Sequence, residues 1–465
     1  MNTLKLKLNF FFDEFINDFN KLSISAKLIC LMPISIILGP LISDGSLVVV
    51  VLLNLFSIIK AKNFKIFKNN FIKLFFLFWI ILLISSISYY SFYSNELWLS
   101  LKSSFTYLRF GLFAIILSYL LKTEKYFLKV FRNILFITLT FVIIHALLIY
   151  FLRFDFLQPH KFHFFYFEHL THRLDDILNK DLKVAAYWTD HRISGVFFNE
   201  LVLGTYLLKM GFLFFALNLF DQKKKIIPSF IFLLVLIFTI FITGDRSPTV
   251  LSLMGFVMIL FTFRIGFKTK LLSFFIILLI ITSFIKIDPN IKNRFVEQIK
   301  YYQAQEKSYI KIFNKNFWYF SEGHAQHLTT ALRIFNDNKI IGTGTNTFRY
   351  ECKKAKYNIT VYSCTTHPHN TYAQLLSDTG LIGFLFILIF FIYISLLIFM
   401  NFLKKKYQYY HSNQSILILL FMIFWPIIPS GSFFNNAVSI YNFLIFGFFL
   451  YLSSFSKYNS NFFIK

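Results

Sequence analysis

The sequence Thr366-His367-Pro368-His369-Asn370-Thr371-Tyr372 stands directly before an apolar run that extends to Met400. A helix needs about 20 apolar residues to cross a bilayer, and this run is long enough. Such a helix gains nothing from two histidines and an amide at its mouth, so these side chains need a water-filled or protein-buried setting. The stretch therefore predicts a membrane helix with a polar functional site at one end.

The composition of the whole chain indicates a membrane protein. Of 465 residues, 57% are hydrophobic and 67 are Phe, which is more apolar surface than one water-soluble core can bury. The net charge of +25 comes from basic residues in short tracts between apolar runs, as in loops that face anionic lipid head groups. We therefore predict an all-α polytopic membrane protein that does not bind nucleic acid.

Twelve apolar runs approach or exceed the length of a membrane helix. They divide the chain into an amphipathic N-terminal segment (1–25), nine helices (26–287), a large loop (288–372) and three further helices (373–465). The turn Asp44-Gly45 predicts a tight hairpin between the first two runs. The runs cover residues 26–43, 46–59, 73–90, 103–121, 132–152, 194–220, 226–243, 247–267, 270–287, 373–400, 414–430 and 434–453.

The distribution of Lys and Arg predicts the orientation. Basic residues crowd the connections at one set of helix ends, whereas the short connections at the other ends hold only Lys102 and Arg246. Because basic loops stay in the cytoplasm, we expect both termini there and the two long loops, 153–193 and 288–372, on the outer side. The second loop is basic, which suits a phosphorylated glycolipid acceptor or a loop that lies on anionic head groups.

Two arginines and a histidine mark the outer ends of three predicted helices. Arg192, Arg246 and His369 each lie just before a helix that is predicted to run inwards. Each of these helices is expected to begin with a capping side chain or a first-turn proline. The expected caps are Ser194, Ser247-Pro248, and Asn370 or Thr371. Three positive helix ends at one depth would suit an anion with several phosphate oxygens.

Three motifs together resemble those of one enzyme family. They are His369-Asn370 followed by Gly380-x-x-Gly383, then Arg192-Ile193-Ser194-Gly195, and Thr243-Gly244-Asp245-Arg246 in a short turn. This set resembles the O-antigen ligase and O-antigen polymerase superfamily of bacterial membrane proteins. The resemblance implies a metal-independent, inverting glycosyltransferase without a cofactor, which moves a glycan from undecaprenyl diphosphate to a sugar hydroxyl at the periplasmic face of the inner membrane.

The resemblance and the chemistry suggest a role for each residue of the motifs. His369 is the expected general base, since imidazole titrates near neutral pH. Arg192 and Arg246 are expected to bind the diphosphate, a task that suits the planar guanidinium. Asp245 stands where the family more often has a small or hydroxyl residue, so an ion pair with Arg246 would weaken that arginine's hold on substrate. His367 is expected to orient His369 or the acceptor.

Four residues after the base are expected to support the site. They are Asn370, Asp378, Gly380 and Gly383. Asp378 replaces the family's usual glutamate, and we expect it to fix the mouth of the tenth helix. The pair of glycines in Gly342-Thr343-Gly344 is too short to predict phosphate binding and indicates a turn.

Histidine spacing raises the question of a metal. His324 and His327, with His367 and His369, have a spacing that zinc could use, but neither acidic residues nor paired cysteines accompany them in a ligand pattern. We therefore expect no metal site, and we expect His324 and His327 to be ordinary loop residues.

A cysteine pair and two basic residues inside apolar runs are each open to two interpretations. Cys352 and Cys364 lie in the second long loop, where an oxidising compartment would permit a disulfide, and the sequence leaves that bridge open. Arg109 and Lys209 lie within apolar runs, where a charge is costly. They are expected to contact either the carrier lipid or a polar group on a neighbouring helix.

Several functions fit this sequence. A ligase would transfer a finished polysaccharide from undecaprenyl diphosphate to the lipid A core, and a polymerase would join carrier-linked repeat units. Both have the same donor, and we favour the ligase because the histidine loop is single, long and basic. A transporter or flippase of lipid-linked glycan stays open, although we see no inverted repeat. A scaffold for glycan assembly would tolerate the loss of His369.

Overall fold

The computed structural model of the chain describes residues 13–68, 70–88, 94–152, 157, 192–198, 200–220, 226–312, 315–404 and 409–455. Within these residues the protein has 17 helices and one short β-hairpin, which confirms the predicted all-α class. The length and composition of several helices fit the predicted multi-pass membrane protein. Most of the predicted loop at 153–193 lies outside the described residues, as do residues 1–12 of the predicted N-terminal segment.

Ten helices precede the large loop. They are α1 (Ile24–Cys30), α2 (Met32–Leu38), α3 (Pro40–Lys60), α4 (Asn70–Ser88), α5 (Ser94–Thr123), α6 (Phe127–Leu152), α7 (Leu203–Asn218), α8 (Ile226–Ile242), α9 (Arg246–Thr262) and α10 (Phe267–Ile287). The large loop contains α11 (Pro289–Lys292), α12 (Gln298–Gln303), β1 (Tyr309–Ile312), β2 (Lys315–Trp318), α13 (Glu322–Asp337) and α14 (Phe348–Glu351). The last three helices are α15 (Thr371–Lys404), α16 (Tyr410–Ile423) and α17 (Asn436–Ser453).

The structure bears out the prediction of twelve spans in part. In the described part of the chain, seven helices are long and apolar enough to cross a membrane, namely α3, α4, α5, α6, α10, α15 and α17. Three shorter apolar helices, α7, α8 and α9, have 16 or 17 residues. The remaining predicted runs are interrupted or shortened, because part of each run forms irregular backbone.

The first predicted run is the clearest interruption. It forms α1 and α2, and α3 then begins at Pro40, so the predicted hairpin at Asp44-Gly45 is wrong. Gly39 has φ 124°, a conformation that favours glycine, and Pro40 suits a first helical turn. Asp44 stays inside α3, where its carboxylate accepts two hydrogen bonds of 3.0 Å from Arg109. Arg109 thus makes an interhelical ion pair.

The most buried helices lie at the centre of the bundle. Of the seven long helices, α17 has 83% of its apolar 18-residue stretch buried inside the protein, whereas α10 has only 11% of the corresponding stretch buried. The helix α17 packs along α5, and α7 packs against α16 and α8. Lys209 on α7 donates a hydrogen bond of 2.9 Å to Asn442 on α17, which gives this buried ammonium an interhelical partner. Helices α3, α10 and α15 expose apolar faces at the periphery.

Residues 288–370, here called the loop domain, form a small folded unit. Strands β1 and β2 pair antiparallel, with Tyr309 opposite Trp318. The amphipathic helix α13 buries Ala331 and Ile334 against Phe348, and the same helix packs on α15. The loop domain therefore rests on the beginning of the helix that follows the two histidines.

The helix α15 breaks at Gly380, and the loop domain fills the break. Gly380 has φ 64° and ψ −162°. Chain 339–344 runs beside the break: Leu381 N–H donates to the Lys339 carbonyl at 2.8 Å, and Gly344 N–H donates to the Asp378 carbonyl at 2.7 Å. These bonds satisfy backbone groups that the break would otherwise leave unpaired inside the protein.

Gly380→Ala is expected to lower the free energy of unfolding by about 2–4 kcal/mol. A Cβ on Gly380 would lie 2.4 Å from the Ile340 backbone, and the positive φ adds strain for any L side chain. The check is thermal unfolding of the purified protein in detergent, with Gly45→Ala as the control, because a Cβ on Gly45 meets nothing within 4 Å. Equal unfolding temperatures for the two variants would contradict the close contact.

Candidate active site

His369 occupies a constrained position between the loop domain and α15. Its φ is 53°, in the left-handed region that few residues other than glycine adopt, and such strain is concentrated at functional sites. The Ser430 N–H holds this backbone by donating to the His369 carbonyl at 2.8 Å. The side-chain oxygen of Asn370 accepts from the N–H groups of Tyr372 and Ala373, so Asn370 caps α15 as expected.

Three other imidazoles surround His369. The centroid of its ring lies 4.1 Å from that of His367, 5.3 Å from that of His327 and 5.5 Å from that of His324. The expectation that His324 and His327 are ordinary loop residues is therefore wrong. Their spacing of three on the amphipathic helix α13 puts both on one face, and that face meets α15. We call these four residues the histidine cluster.

Burial keeps the histidine cluster neutral. It lowers the pKa of His324 to about 3, of His327 to about 4 and of His367 to about 3, with further contributions from positive charges nearby. Burial also lowers the pKa of His369. A neutral imidazole can accept a proton at pH 7. Among the described residues, no group of three or more His, Cys, Asp or Glu is arranged to hold a metal ion.

The pH dependence of activity is expected to show this low pKa. If His369 is the base, the acid limb of kcat/KM should have its midpoint below pH 6.5, the ordinary pKa of histidine, because the imidazole takes up a proton there before reaction. Activity needs the neutral imidazole of His369, so a lowered pKa of His369 shifts the acid limb of the profile to lower pH. An acid limb with its midpoint above pH 6.5 would contradict this assignment. The check is a pH–rate profile of glycan transfer by the purified protein.

Arg246 lies beside the histidine cluster. Its Nε donates to the Arg294 carbonyl at 2.9 Å, its Nη2 donates to the Gln298 side chain, and its guanidinium lies over the Tyr302 ring at 5.8 Å. Its positive charge contributes to the lowered pKa of His324, so the two groups are close enough to interact. The structure thus brings the expected base and one expected arginine into one neighbourhood.

Arg294 is a second guanidinium in this neighbourhood that sequence reasoning missed. Its Nε donates to the Gly244 carbonyl at 3.0 Å, and its Nη1 donates to Gln298 Oε1 at 3.0 Å. Gln298 therefore joins Arg294 to Arg246. No sequence signal marks this pairing, because it forms between the turn after α8 and the beginning of the loop domain.

Arg192 has a different setting from the one expected. Its guanidinium forms an ion pair with Asp245, with Nε 2.6 Å from Oδ1, and its Nη2 donates to the Leu201 carbonyl at 2.7 Å. Asp245 was expected to pair with Arg246, and the structure pairs it with Arg192 instead. The other oxygen of Asp245 accepts from Gly204 N–H at 2.9 Å. Burial raises the pKa of Asp245, and Arg192 opposes that rise.

Two helices begin at other residues than the sequence predicts. The sixth predicted helix begins at Leu203 rather than at Ser194, because residues 194–198 form a short 3₁₀ turn and residues 200–202 have irregular backbone. The Ile193 N–H donates to the Thr243 carbonyl at 3.0 Å, which ties this segment to the turn before α9. The eighth predicted helix begins at Arg246 with Asp245 at the N-cap position, where its side chain makes no capping hydrogen bond, so Ser247-Pro248 lies in the first turn.

Asp378 joins the loop domain to α15. One carboxylate oxygen accepts from Asn346 N–H at 3.0 Å, and the other accepts from Phe348 N–H at 3.2 Å. The Gly342-Thr343-Gly344 segment lies against the helix break, where a Cβ on Gly342 would meet backbone atoms at 2.5 Å. Gly383 packs closely against the Thr379 side chain. These contacts fit the supporting roles expected for Asp378, Gly380 and Gly383.

A disulfide fixes the chain that leads to His367. The structure joins Cys352, just after α14, to Cys364 with a Cα–Cα distance of 4.9 Å. The bridge lies between the Asp378-bound start of α14 and the histidines. It therefore limits the movement of the segment that carries His367 and His369.

The comparison with known proteins agrees with the region that this geometry singles out. Residues 231–388 match the family model described as O-antigen ligase (Wzy_C), and this range includes Arg246, the histidine cluster and Gly380, but not Arg192. No curated protein matches the chain significantly. The family consists of O-antigen ligase and polymerase-type membrane enzymes that transfer polysaccharides. Residues 231–388 are therefore similar to the O-antigen ligase family, in a chain whose described part has seven helices long and apolar enough to cross a membrane.

Proposed function

We propose that this protein is a ligase that transfers a glycan from undecaprenyl diphosphate to a sugar hydroxyl of the lipid A core. The observation that supports this proposal most strongly is the setting of the backbone-constrained His369 at the mouth of α15. Burial lowers its pKa, and its ring lies against that of His324, whose pKa the charge of Arg246 also lowers. We propose that this mouth faces the periplasmic side of the bacterial inner membrane, the side that the distribution of basic connections in the sequence predicts.

The proposed reaction needs one base and one anion-binding group. His369 accepts the proton of the acceptor hydroxyl as that oxygen attacks the anomeric carbon of the donor sugar. The new C–O bond forms while the bond to the diphosphate breaks, and undecaprenyl diphosphate leaves with the electron pair. Attack opposite the leaving group inverts the anomeric centre. Arg246 stabilises the charge on the leaving diphosphate.

Other residues hold these two groups in place. His367 packs on the ring of His369 and restricts its orientation. Asn370 fixes the start of α15, and Asp378 fixes the loop domain on the same helix. Arg192 binds Asp245, whose neighbour along the chain is Arg246, so we propose that Arg192 positions the diphosphate-binding arginine.

Arg246→Gln is expected to lower kcat/KM for the lipid-linked donor by about 10- to 100-fold. The reason is the loss of charge-assisted hydrogen bonds to the diphosphate, each worth about 1.5–3 kcal/mol. The matched control is Lys300→Gln, which removes an equal charge from an exposed side chain of α12. Equal donor kinetics in the two variants would contradict the assignment of Arg246.

Complementation of bacterial strains that lack the ligase or the polymerase decides between the two enzymes of this family. If the protein is a ligase, it restores long chains on the lipid A core only in the ligase-deficient strain. Rescue of the polymerase-deficient strain alone, which otherwise carries single repeats on the core, would contradict the ligase and assign the polymerase. Accumulation of carrier-linked glycan on the cytoplasmic side in a null strain would instead indicate a transporter.

A further inference from the structure

Arg349 is a guanidinium beside the histidine cluster that the proposed reaction does not yet use. It lies on α14, between Phe348, whose N–H donates to Asp378, and Cys352, which is held by the disulfide. Its positive charge contributes to the lowered pKa of His367, so Arg349 and His367 are near neighbours. Both ends of the short segment that carries Arg349 are therefore fixed.

Arg349 differs from the other site arginines in having no protein partner. Arg192 is paired with Asp245, and Arg246 donates to a carbonyl and to Gln298. Across the described part of the chain, Arg349 makes neither a hydrogen bond nor an ion pair, and its buried Nε has no acceptor. A buried guanidinium donor without an acceptor is costly, and an anionic ligand would supply one.

The nearest acidic residue along the chain does not neutralise Arg349. Glu351 is buried, and its carboxylate pairs with Lys354 at 2.6 Å. This carboxylate is thus paired with a lysine of its own turn, and the described residues give Arg349 no ion pair. A phosphate group is the anion that best matches a guanidinium, because two parallel N–H···O bonds form with planar geometry.

Arg246 and Arg349 act on different histidines of the cluster. The charge of Arg246 acts on His324, and that of Arg349 acts on His367, while His369 contacts both rings. In an inverting transfer the acceptor oxygen attacks the anomeric carbon on the face opposite the leaving diphosphate. Because the proposed function assigns Arg246 to that diphosphate, the second guanidinium is available to the acceptor.

We propose that Arg349 binds a phosphate group of the acceptor glycolipid and thereby selects phosphorylated acceptors. This inference rests on the proposed function, in which Arg246 binds the donor diphosphate. The donor is the other source of phosphate in such a site, so the test must separate the two substrates. The basic character of the loop domain fits an acceptor that carries negative charge.

The test compares Arg349→Gln, Arg349→Lys and the control Lys353→Gln, which removes a charge from an exposed neighbour on the same turn. With lipid A core as acceptor, Arg349→Gln is expected to raise the acceptor KM by about 10- to 100-fold. The donor KM should not change. Arg349→Lys is expected to recover only part of the loss, because an ammonium lacks the bidentate fork. Lys353→Gln should behave as wild type.

Phosphatase-treated lipid A core tests whether the effect of Arg349→Gln depends on the acceptor phosphate. Wild type and Arg349→Gln should use the treated acceptor equally, because the group that Arg349 binds has been removed. An increased donor KM in Arg349→Gln would overturn the assignment to the acceptor. An unchanged KM for both substrates would overturn any substrate role for Arg349.

A binding measurement separates this inference from the proposed function. Native mass spectrometry of the purified protein can compare bound lipid A core before and after phosphatase treatment, without any turnover. Wild type should prefer the phosphorylated form, and Arg349→Gln should lose that preference. If the wild type binds in this way but transfers no glycan, the proposed function fails and the Arg349 site stands. If both proteins bind the two forms equally, the inference on Arg349 fails.

Discussion

His369→Asn is expected to lower kcat for glycan transfer by about 10²- to 10⁴-fold while the unfolding temperature stays close to that of wild type. The loss corresponds to the usual contribution of a general base. Asparagine is the informative replacement because it tolerates the left-handed backbone that His369 adopts at φ 53°. It cannot accept the hydroxyl proton as an imidazole does.

His369→Ala provides the comparison. Alanine removes the base and also places a less tolerant residue at a positive φ, so it should add a stability loss of about 1–2 kcal/mol to the same catalytic loss. Activity is measured in detergent or liposomes, and stability by thermal unfolding. If His369→Asn keeps wild-type kcat, His369 is not the base. If both variants unfold at the same temperature, the backbone at this position is not strained.

Arg192→Met is expected to lower the free energy of unfolding by about 3–5 kcal/mol. Asp245 is 3% exposed, and its carboxylate would lose its ion-pair partner while still buried. Methionine keeps much of the apolar stem of the arginine, so the change tests the charge rather than the packing. The same carboxylate accepts from Gly204 N–H at 2.9 Å, so its displacement should also disturb the start of α7.

The double variant Arg192→Met with Asp245→Asn distinguishes a positioning role from direct substrate binding. Asparagine keeps an oxygen for Gly204 but carries no charge, so the double variant should recover most of the stability. If Arg192 positions Arg246 through Asp245, donor KM should recover as well. A double variant that is stable but still has a greatly increased donor KM would show that Arg192 binds the diphosphate itself.

The sequence predicts the class of fold well. Exposing apolar surface to water is costly, and the amount of apolar surface can be counted from the composition alone. It fails where the backbone becomes irregular inside an apolar run. At Gly39 and at residues 194–198 and 200–202 the apolar run continues, but the backbone is not α-helical. The backbone groups of the second segment bond to distant residues, as when Ile193 donates to Thr243, and no local pattern indicates such partners.

In the candidate site, too, the sequence predicts the residues of local motifs but not those that packing brings together. His369, Arg246, Asn370 and Asp378 belong to local motifs. The structure gives Asn370 and Asp378 contacts that fit their expected supporting roles, whereas the roles of His369 and Arg246 stay predictions. His324 and His327 meet His369 only because α13 packs on α15, so their loop sequence alone predicts no role. Arg294 and Arg349 were likewise missed, since a lone arginine in a basic loop looks like any solvated charge.

The most direct test of this account is glycan transfer by the purified protein in liposomes. The substrates are a synthetic undecaprenyl-diphosphate-linked oligosaccharide and lipid A core, and the products are measured by mass spectrometry. Wild type is expected to form the glycan–core product and to release an equal amount of undecaprenyl diphosphate, whereas folded His369→Asn forms almost none. Equal product formation by the two proteins would contradict the central claim that His369 is the base for this transfer.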